Sequence, residues 1–208
     1  MYRRYELLRL LKTRLDEKRF LHSLAVERMA VRLAAAHGAD WYRAGTAGLL
    51  HDIFKCGDKT LMLDYLGENG VRLGDDWLAN PKLWHGVCGA VFLRRELGIR
   101  DSEILSAVRY HTTGHGRMGV LEKTVCVADV ISEDRSYPEL PKIRAAAVRN
   151  LDEALALTLG YGIAGAVKRG LPIVKECVEA YNNSLKAILS ASNINSSITT
   201  GGYPDDAT

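Results

Sequence analysis

The chain has 208 residues, of which 47% are hydrophobic and 25% are charged. This composition is typical of one globular domain and excludes a wholly disordered polymer. The formal net charge of only +3 gives no electrostatic reason to expect a nucleic-acid or membrane partner.

Neither a secretory signal nor a membrane helix is expected. The first 20 residues carry ten charges, seven of them basic, which is unlike a secretory signal. The longest uncharged and mainly apolar run, residues 154–167, has 14 residues, and a membrane helix needs roughly 20. The widely spaced cysteines form no CxxC pair, so we expect reduced thiols in a cytoplasmic protein: Cys56, Cys88, Cys126 and Cys177.

Helical periodicity predicts an all-α single domain over residues 1–189 and a mobile tail over residues 190–208. Sustained period-2 alternation is absent from the sequence, so a sheet is not expected. Asp40 is expected to cap the start of one helix, and Gly38 and His37 are expected to cap the end of the helix before it. The predicted helices span residues 3–18, 20–36, 40–54, 61–66, 85–97, 101–110, 119–132, 140–159 and 173–190.

Several histidines and aspartates lie on the apolar stripes of these helices. His111 shares a face with Ile104 and Val108, and Asp129 follows Val125 by four residues. An ionised carboxylate on a core face costs several kcal/mol unless a cation meets it. A lone buried histidine is usually a hydrogen-bonded core residue, but six such groups together favour a metal site: His22, His51, Asp52, His85, His111 and Asp129. Mixed imidazole and carboxylate ligands suit iron, manganese or zinc.

The segment Gly114–Gly119 fits the dinucleotide fingerprint GxGxxG. That motif requires a preceding strand, and here the sequence predicts a helix before it. A dinucleotide-binding fold is therefore not expected.

The order of the six residues resembles the HD superfamily of metal-dependent phosphohydrolases. The resemblance is closest to the bacterial YqeK-type symmetrical bis(5'-nucleosyl)-tetraphosphatases, and it covers residues 19 to about 182. It rests on the stretches RFLHSLAVERMAVRLA (19–34), AGLLHDIFK (47–55), LWHGVCGA (83–90), RYHTTG (109–114), LEKTVCVADVISEDR (121–135) and RGLPI (169–173).

The resemblance implies an HD-type helical bundle that holds two divalent or mixed-valence metal ions, with iron favoured over manganese or zinc. It assigns the first metal to His22, His51, Asp52 and Asp129. The second metal is assigned to Asp52, His85 and His111, so Asp52 would bridge the two ions. Two such ions about 3.5–4 Å apart can share a hydroxide that attacks phosphorus in line with the leaving group.

The resemblance also implies which residues contact the substrate. Asp52, Lys55 and Arg135 would be catalytic, and Arg19, Lys55, Thr112 and Arg135 would bind the phosphates. Leu171, Pro172 and Ile173 would pack against a base. The alternative interpretation of the basic residues is that they are solvated surface charges. The alternative interpretation of the loop is that it is a turn marked by its proline.

The implied activity is cleavage of diadenosine tetraphosphate into two ADP by a metal-bridging hydroxide. Another HD-type phosphohydrolase, such as a nucleotidase or alarmone hydrolase, is an alternative, as is a non-catalytic nucleotide-sensing module. The expected partner is a small dinucleoside polyphosphate or nucleotide, without nucleic acid or membrane, and a homodimer is possible. His115 and Tyr181 stand where the family usually has Arg, which puts substrate preference in doubt.

Overall fold

The computed structural model describes residues 3–199, and over this range it contains eleven α-helices, one short 3-10 turn and no strand. The all-α prediction is therefore confirmed. The helices are α1 (Arg4–Arg14), α2 (Glu17–His37), α3 (Trp41–Leu50), α4 (Lys59–Glu68), α5 (Asp75–Leu78), α6 (Trp84–Arg95), α7 (Ser102–Tyr110), α8 (Val120–Ile131), α9 (Leu140–Arg149), α10 (Leu151–Lys168) and α11 (Lys175–Thr199), and the 3-10 turn is Pro81–Leu83.

Side-chain caps fix where several helices begin and end. The Asp40 side chain accepts a hydrogen bond from the Arg43 amide at 2.9 Å, which confirms it as the N-cap of α3. Gly38 adopts the left-handed conformation expected of a C-terminal cap, with φ of +74°. Asp16 caps α2 through the Arg19 amide at 2.8 Å, so this helix begins earlier than predicted and carries Arg19 in its first turn.

Several other predicted boundaries are wrong. The helix predicted over 3–18 ends at Arg14. The helix predicted over 140–159 is two helices, because Asn150 is extended and its side chain caps α10. Helix α10 continues through its glycines to Lys168. The helix predicted over 40–54 ends at Leu50, and residues 51–56 form turns. Helix α11 runs past residue 190 to Thr199, whereas residues 200–208 lie outside the described part, so the mobility of the tail stays a prediction.

Helix α8 lies at the centre of the molecule and packs against α2, α3, α7, α9 and α10. Nine of its 12 residues are buried, including Asp129. Helices α6 and α7 pack unusually closely, because a Cβ atom at Gly86 would lie 2.8 Å from the Arg109 carbonyl oxygen. This close approach brings the start of α6 next to the end of α7, where His85 and His111 lie.

Candidate active site

Five helices bring the six predicted metal ligands together in the interior. His22 lies in α2, His85 at the start of α6 and Asp129 near the end of α8. His51 and Asp52 follow directly after α3, and His111 follows α7. All six side chains belong to buried residues, and none of the residues is more than 9% exposed: His22, His51, Asp52, His85, His111 and Asp129.

One half of the cluster surrounds Asp52. His85 Nε2 lies 3.1 Å from Asp52 Oδ1, and His111 Nε2 lies 3.6 Å from the same oxygen. His85 Nε2 and His111 Nε2 are 3.0 Å apart. His51 Nε2 approaches the other carboxylate oxygen, Oδ2, at 3.6 Å.

The other half of the cluster surrounds Asp129. His22 Nε2 lies 2.9 Å from Asp129 Oδ1, and His51 Nε2 lies 3.8 Å from it. Two groups therefore have ligand atoms close enough to hold an ion: His22, His51 and Asp129 in one, and His51, Asp52 and His111 in the other. His51 belongs to both groups. The bridging role of Asp52 stays a prediction.

A hydrogen bond at Nδ1 turns the Nε2 atom of each histidine toward the cluster. The Nδ1–H groups of His51, His85 and His111 each donate to the carbonyl oxygen three residues earlier, at 2.7, 2.8 and 2.8 Å. A neutral imidazole that donates from Nδ1 presents a lone pair at Nε2. His22 is held in the same way by Asp134, whose Oδ2 lies 2.8 Å from Nδ1. Carboxylate–histidine pairs of this kind orient metal ligands.

Neutral imidazoles and an ionised carboxylate give the cluster many lone pairs. Burial lowers the pKa of His51 and of His85 to about 4, so both are neutral near pH 7. Burial by itself would raise the pKa of Asp52, but His51 and the hydrogen bonds from His111 and His85 hold that pKa well below its usual range. His51 Nε2 has no hydrogen-bond partner. Imidazole nitrogens and carboxylates gathered in this way form a donor set that fits a divalent metal ion.

Three basic side chains lie directly on the cluster. Lys55 Nζ is 3.3 Å from Asp52 Oδ1, and Arg19 Nη1 is 3.2 Å from Asp52 Oδ2. Arg135 lies beyond the end of α8 and folds back to pair with the Asp129 carboxylate, and its Nε donates to the Asp129 carbonyl oxygen at 2.9 Å. Each side chain is about one quarter to one third exposed, so each can also reach an anion from the solvent side: Arg19 31%, Lys55 26% and Arg135 33%.

A small cavity is lined by Thr112, the residue that follows His111 in the chain. Its volume is about 160 Å³, and its lining includes Thr112, Pro172 and Ile173 but not Leu171. The Leu171 amide instead donates to the Ala166 carbonyl oxygen in the turn before α11, at 3.0 Å. The structure therefore brings together two of the three predicted base contacts, Pro172 and Ile173, with Thr112, which was predicted to bind phosphate.

Asn80 is a polar residue that the sequence did not connect to ligand binding, and it lines the same cavity as Thr112, which the resemblance did assign to the substrate. Asn80 is 7% exposed and lines the cavity, and its side chain does not cap the following 3-10 turn. Thr112 Oγ1 is buried in the same cavity without a hydrogen-bond partner. Asp134, the partner of His22, was also missed. The dipeptide Asn80-Pro81 was a turn signal only, and Asp134 is separated from His22 by 112 residues.

Comparison with known proteins assigns the family. A family model described as the HD domain matches residues 19–134. A protein of Halalkalibacterium halodurans named symmetrical bis(5'-nucleosyl)-tetraphosphatase is 35% identical over 86% of this chain and 95% of its own length. A protein of the same name from Bacillus subtilis is 34% identical over 86% of this chain and 96% of its own. The chain belongs to the symmetrical bis(5'-nucleosyl)-tetraphosphatase family of HD-domain proteins.

A solved structure supports this HD-domain assignment. A crystal structure from Clostridium acetobutylicum, described as an HD superfamily hydrolase involved in NAD metabolism, matches with a TM-score of 0.86 at 32% identity. The match covers 90% of this chain and 99% of that one. The family and the HD-type fold that the motifs indicated are therefore confirmed. Between residues 3 and 199, no helix combines the length and apolar character needed to cross a bilayer.

The two residues that depart from the HD-domain family pattern lie away from the metal cluster. His115 Nε2 contacts Glu122 Oε1 at 2.6 Å, and its ring packs against Tyr110 with centroids 4.7 Å apart. Tyr181 is half-buried and lies next to Gly160 on α10. His37 ends α2 as expected, but its Nε2 donates to the Ala147 carbonyl oxygen of α9 at 2.7 Å rather than only capping its own helix.

Proposed function

We propose that this protein hydrolyses diadenosine tetraphosphate symmetrically into two ADP molecules. Six buried imidazole and carboxylate groups converge beside basic side chains, which is the observation that carries the proposal. The relatives that share 34–35% of its residues are named for symmetrical hydrolysis of bis(5'-nucleosyl) tetraphosphates. The reaction breaks the bridging P–O bond between the two inner phosphates. The oxygen of water joins one ADP, the other ADP leaves with the bridging oxygen, and the two protons of water pass to phosphate oxygens or to solvent.

Two metal ions are part of this proposal, with iron favoured by the family resemblance over manganese or zinc. His22, His51, Asp52 and Asp129 would hold one ion, and Asp52, His85 and His111 would hold the other, so that Asp52 would contribute to both. When bound, such ions activate water and neutralise phosphate charge. The Nδ1 hydrogen bonds of the histidines keep their Nε2 lone pairs available for this purpose.

The basic residues would bind the tetraphosphate chain and the departing ADP. Lys55, Arg19 and Arg135 now compensate the charge of Asp52 and Asp129. Once metal cations neutralise those carboxylates, the same side chains can donate charge-assisted hydrogen bonds to phosphate oxygens. Lys55 and Arg135 would thereby stabilise the negative charge that develops on the leaving ADP.

The cavity beside Thr112 would hold one base of the substrate. Its volume of about 160 Å³ is smaller than a typical ligand pocket of about 300–1,000 Å³, so it suits a single ring system rather than a whole nucleotide. Pro172 and Ile173 supply apolar walls, and Thr112 and Asn80 supply polar groups. Leu171 would support the turn rather than touch the base.

Product analysis tests this function. Purified protein loaded with Fe²⁺ or Mn²⁺ is incubated with diadenosine tetraphosphate, and the nucleotides are separated by ion-exchange chromatography. ADP as the sole product is expected. AMP together with ATP would rule out symmetrical cleavage, and tight binding without any turnover would favour a sensing module.

Parallel reactions with nucleoside monophosphates, nucleoside triphosphates and a guanosine alarmone test the other HD-type activities. We expect turnover of these compounds to be slower than that of the tetraphosphate. Faster release of inorganic phosphate from a mononucleotide would make a nucleotidase the better description.

The cellular location belongs to the same proposal. All four cysteines are free, and three of them are buried, as suits the reducing cytoplasm: Cys56, Cys88, Cys126 and Cys177. We place the protein there with a small nucleotide as its partner. A homodimer stays a prediction.

A further inference from the structure

A second cavity, which we call the arginine cleft, lies between α6 and α7. Its volume is about 470 Å³, and its lining includes the basic residues Arg94, Arg95 and Arg109. It is about three times larger than the cavity beside Thr112 and lies within the range of about 300–1,000 Å³ that is typical of ligand sites. No role in the metal centre accounts for it.

The arginine cleft faces away from the metal cluster. His85 and Arg94 are nine residues apart on α6, which is two and a half helical turns, so they lie on opposite sides of the helix. The same spacing separates Ser102, which lines the cleft, from His111 at the end of α7. The two helices therefore present metal-ligand candidates on one side and the cleft on the other.

The charge of the cleft is uncompensated. Within residues 3–199, none of the three arginines forms an ion pair, and no Asp or Glu belongs to the lining. Arg109 Nε is buried without a hydrogen-bond partner, while its guanidinium lies 5.3 Å from the Tyr110 ring centroid. A buried guanidinium N–H without a hydrogen-bond acceptor destabilises the folded state, and a bound ligand that supplies the acceptor removes this penalty.

The Glu122 carboxylate lies next to the lining of the cleft, and other groups already bind it. Glu122 contacts the lining residue Ser106, and it also binds His115 Nε2 and the Gly119 amide, both at 2.6 Å. It therefore offers no free partner for the arginines. The remaining wall is partly apolar, with side chains that can pack against a ring: Val71, Ala90, Val91 and Leu105.

We propose that the arginine cleft is a second binding site, separate from the metal centre, for a nucleoside phosphate. Guanidinium groups bind phosphate oxygens through paired, charge-assisted hydrogen bonds. The apolar wall and the Tyr110 ring would take the base.

Equilibrium binding of ADP, the proposed product, to the whole chain loaded with Mn²⁺ tests the proposal, because Lys55 and Arg135 are free to bind phosphate only when metal neutralises Asp52 and Asp129. Wild-type protein should bind two ADP molecules per chain by calorimetry. Arg94→Gln combined with Arg95→Gln should remove one of these sites or weaken it at least about tenfold. Lys55→Gln combined with Arg135→Gln should remove the other, which separates this proposal from the function proposed for the metal centre.

A charge-matched control removes two exposed basic residues from elsewhere. Arg9→Gln combined with Lys142→Gln lowers the net charge by the same amount, and both positions are exposed and outside the cleft lining. This variant should keep both sites. Arg109→Gln, checked for native helix content by circular dichroism, should also weaken the cleft site. Unchanged ADP binding by the Arg94/Arg95 variant, or equal weakening by the control, would overturn the proposal.

Discussion

Asp134 sets the orientation of His22 from outside the metal cluster. Its carboxylate accepts the Nδ1–H of His22, so the Nε2 lone pair of His22 faces Asp129. We expect Asp134→Asn to weaken metal binding about 10- to 100-fold, because a neutral amide supports the basicity of an imidazole less than a carboxylate does. Titration of the metal-free protein with Mn²⁺ measures the change.

The neighbouring residue provides a matched control for that variant. Glu133 pairs at the surface with Arg28 and Arg32, at 3.1 and 3.0 Å, and does not touch His22. Glu133→Gln removes the same charge and should leave the Mn²⁺ affinity unchanged. Wild-type affinity in Asp134→Asn would show that the hydrogen bond to His22 is not part of the metal centre.

Asn80 is expected to read the edge of the base in the cavity beside Thr112. Its amide can both donate and accept, whereas the carboxylate of Asn80→Asp only accepts. Guanine presents adjacent N–H donors to such a carboxylate, and adenine presents an acceptor beside its amino group. We expect the ratio of kcat/KM for the diguanosine over the diadenosine tetraphosphate to rise about tenfold, since paired base contacts are worth about 1–3 kcal/mol.

The alanine variant separates recognition of the base from structural support. Asn80→Ala loses both hydrogen-bonding groups, so it should lower kcat/KM for the two substrates to a similar extent. If Asn80→Asp behaves like Asn80→Ala, with no shift in preference, then Asn80 does not face the base.

The sequence identified individual polar residues that lie where an apolar residue is expected. A histidine such as His111 or a carboxylate such as Asp129 stands out on an apolar stripe, and the structure places both in the buried cluster. Asp134 and Asn80 lie in turns, where polar residues are ordinary. Their importance comes from contacts with distant elements, and periodicity carries no information about those contacts.

Helices α6 and α7 position His85 and His111, and Gly86 permits their close packing. A Cβ atom there would lie 2.8 Å from the Arg109 carbonyl oxygen and 3.1 Å from that of Val108. Gly86→Ala should therefore push the helices apart and lower kcat at least about tenfold, because displaced ligands hold the reacting groups less accurately. Hydrolysis assays together with metal titration measure the effect.

A second glycine tests whether the effect comes from packing. Gly67 in α4 has open space around its Cβ position, so Gly67→Ala should keep full activity and gain up to about 1 kcal/mol of stability from helix propensity. Full activity in Gly86→Ala would mean that the spacing of α6 and α7 does not control the site.

At the element scale, the sequence predicted which segments are helical better than where they end. The break at Asn150 was missed because residues 140–159 are apolar at helical spacing on both sides of it. Its side chain accepts from the Asp152 and Glu153 amides at 2.8 and 3.1 Å, which starts a new helix. Helix α10 continues beyond the predicted end at residue 159 through glycines, which are poor helix formers, because it packs against α11 and α8.

At the scale of the whole molecule, buried neutral histidines make the metal-free fold sensitive to acid. Burial lowers the pKa of His51 and of His85 from 6.5 to about 4. In the unfolded chain these imidazoles take up protons below about pH 6.5, so unfolding binds protons between that pH and about 4. Stability conferred by their neutral burial is thus complete near pH 7 and falls as the pH is lowered.

We expect metal-free protein to lose up to roughly 2 kcal/mol of unfolding free energy for each imidazole between about pH 7 and about pH 5. Urea denaturation in EDTA at about pH 7 and about pH 5 measures the loss. The variant His85→Gln should show a smaller dependence on pH. Equal stability at the two pH values would contradict the neutral state of these histidines.

We propose that the six side chains gathered by five helices hold two metal ions in the interior. Anomalous diffraction from crystals of the metal-loaded protein, collected on both sides of the iron or manganese absorption edge, tests it most directly. Two anomalous peaks are expected, one beside His22, His51 and Asp129 and one beside Asp52, His85 and His111. Active crystals without a peak among these residues, or with metal bound only elsewhere, would contradict it.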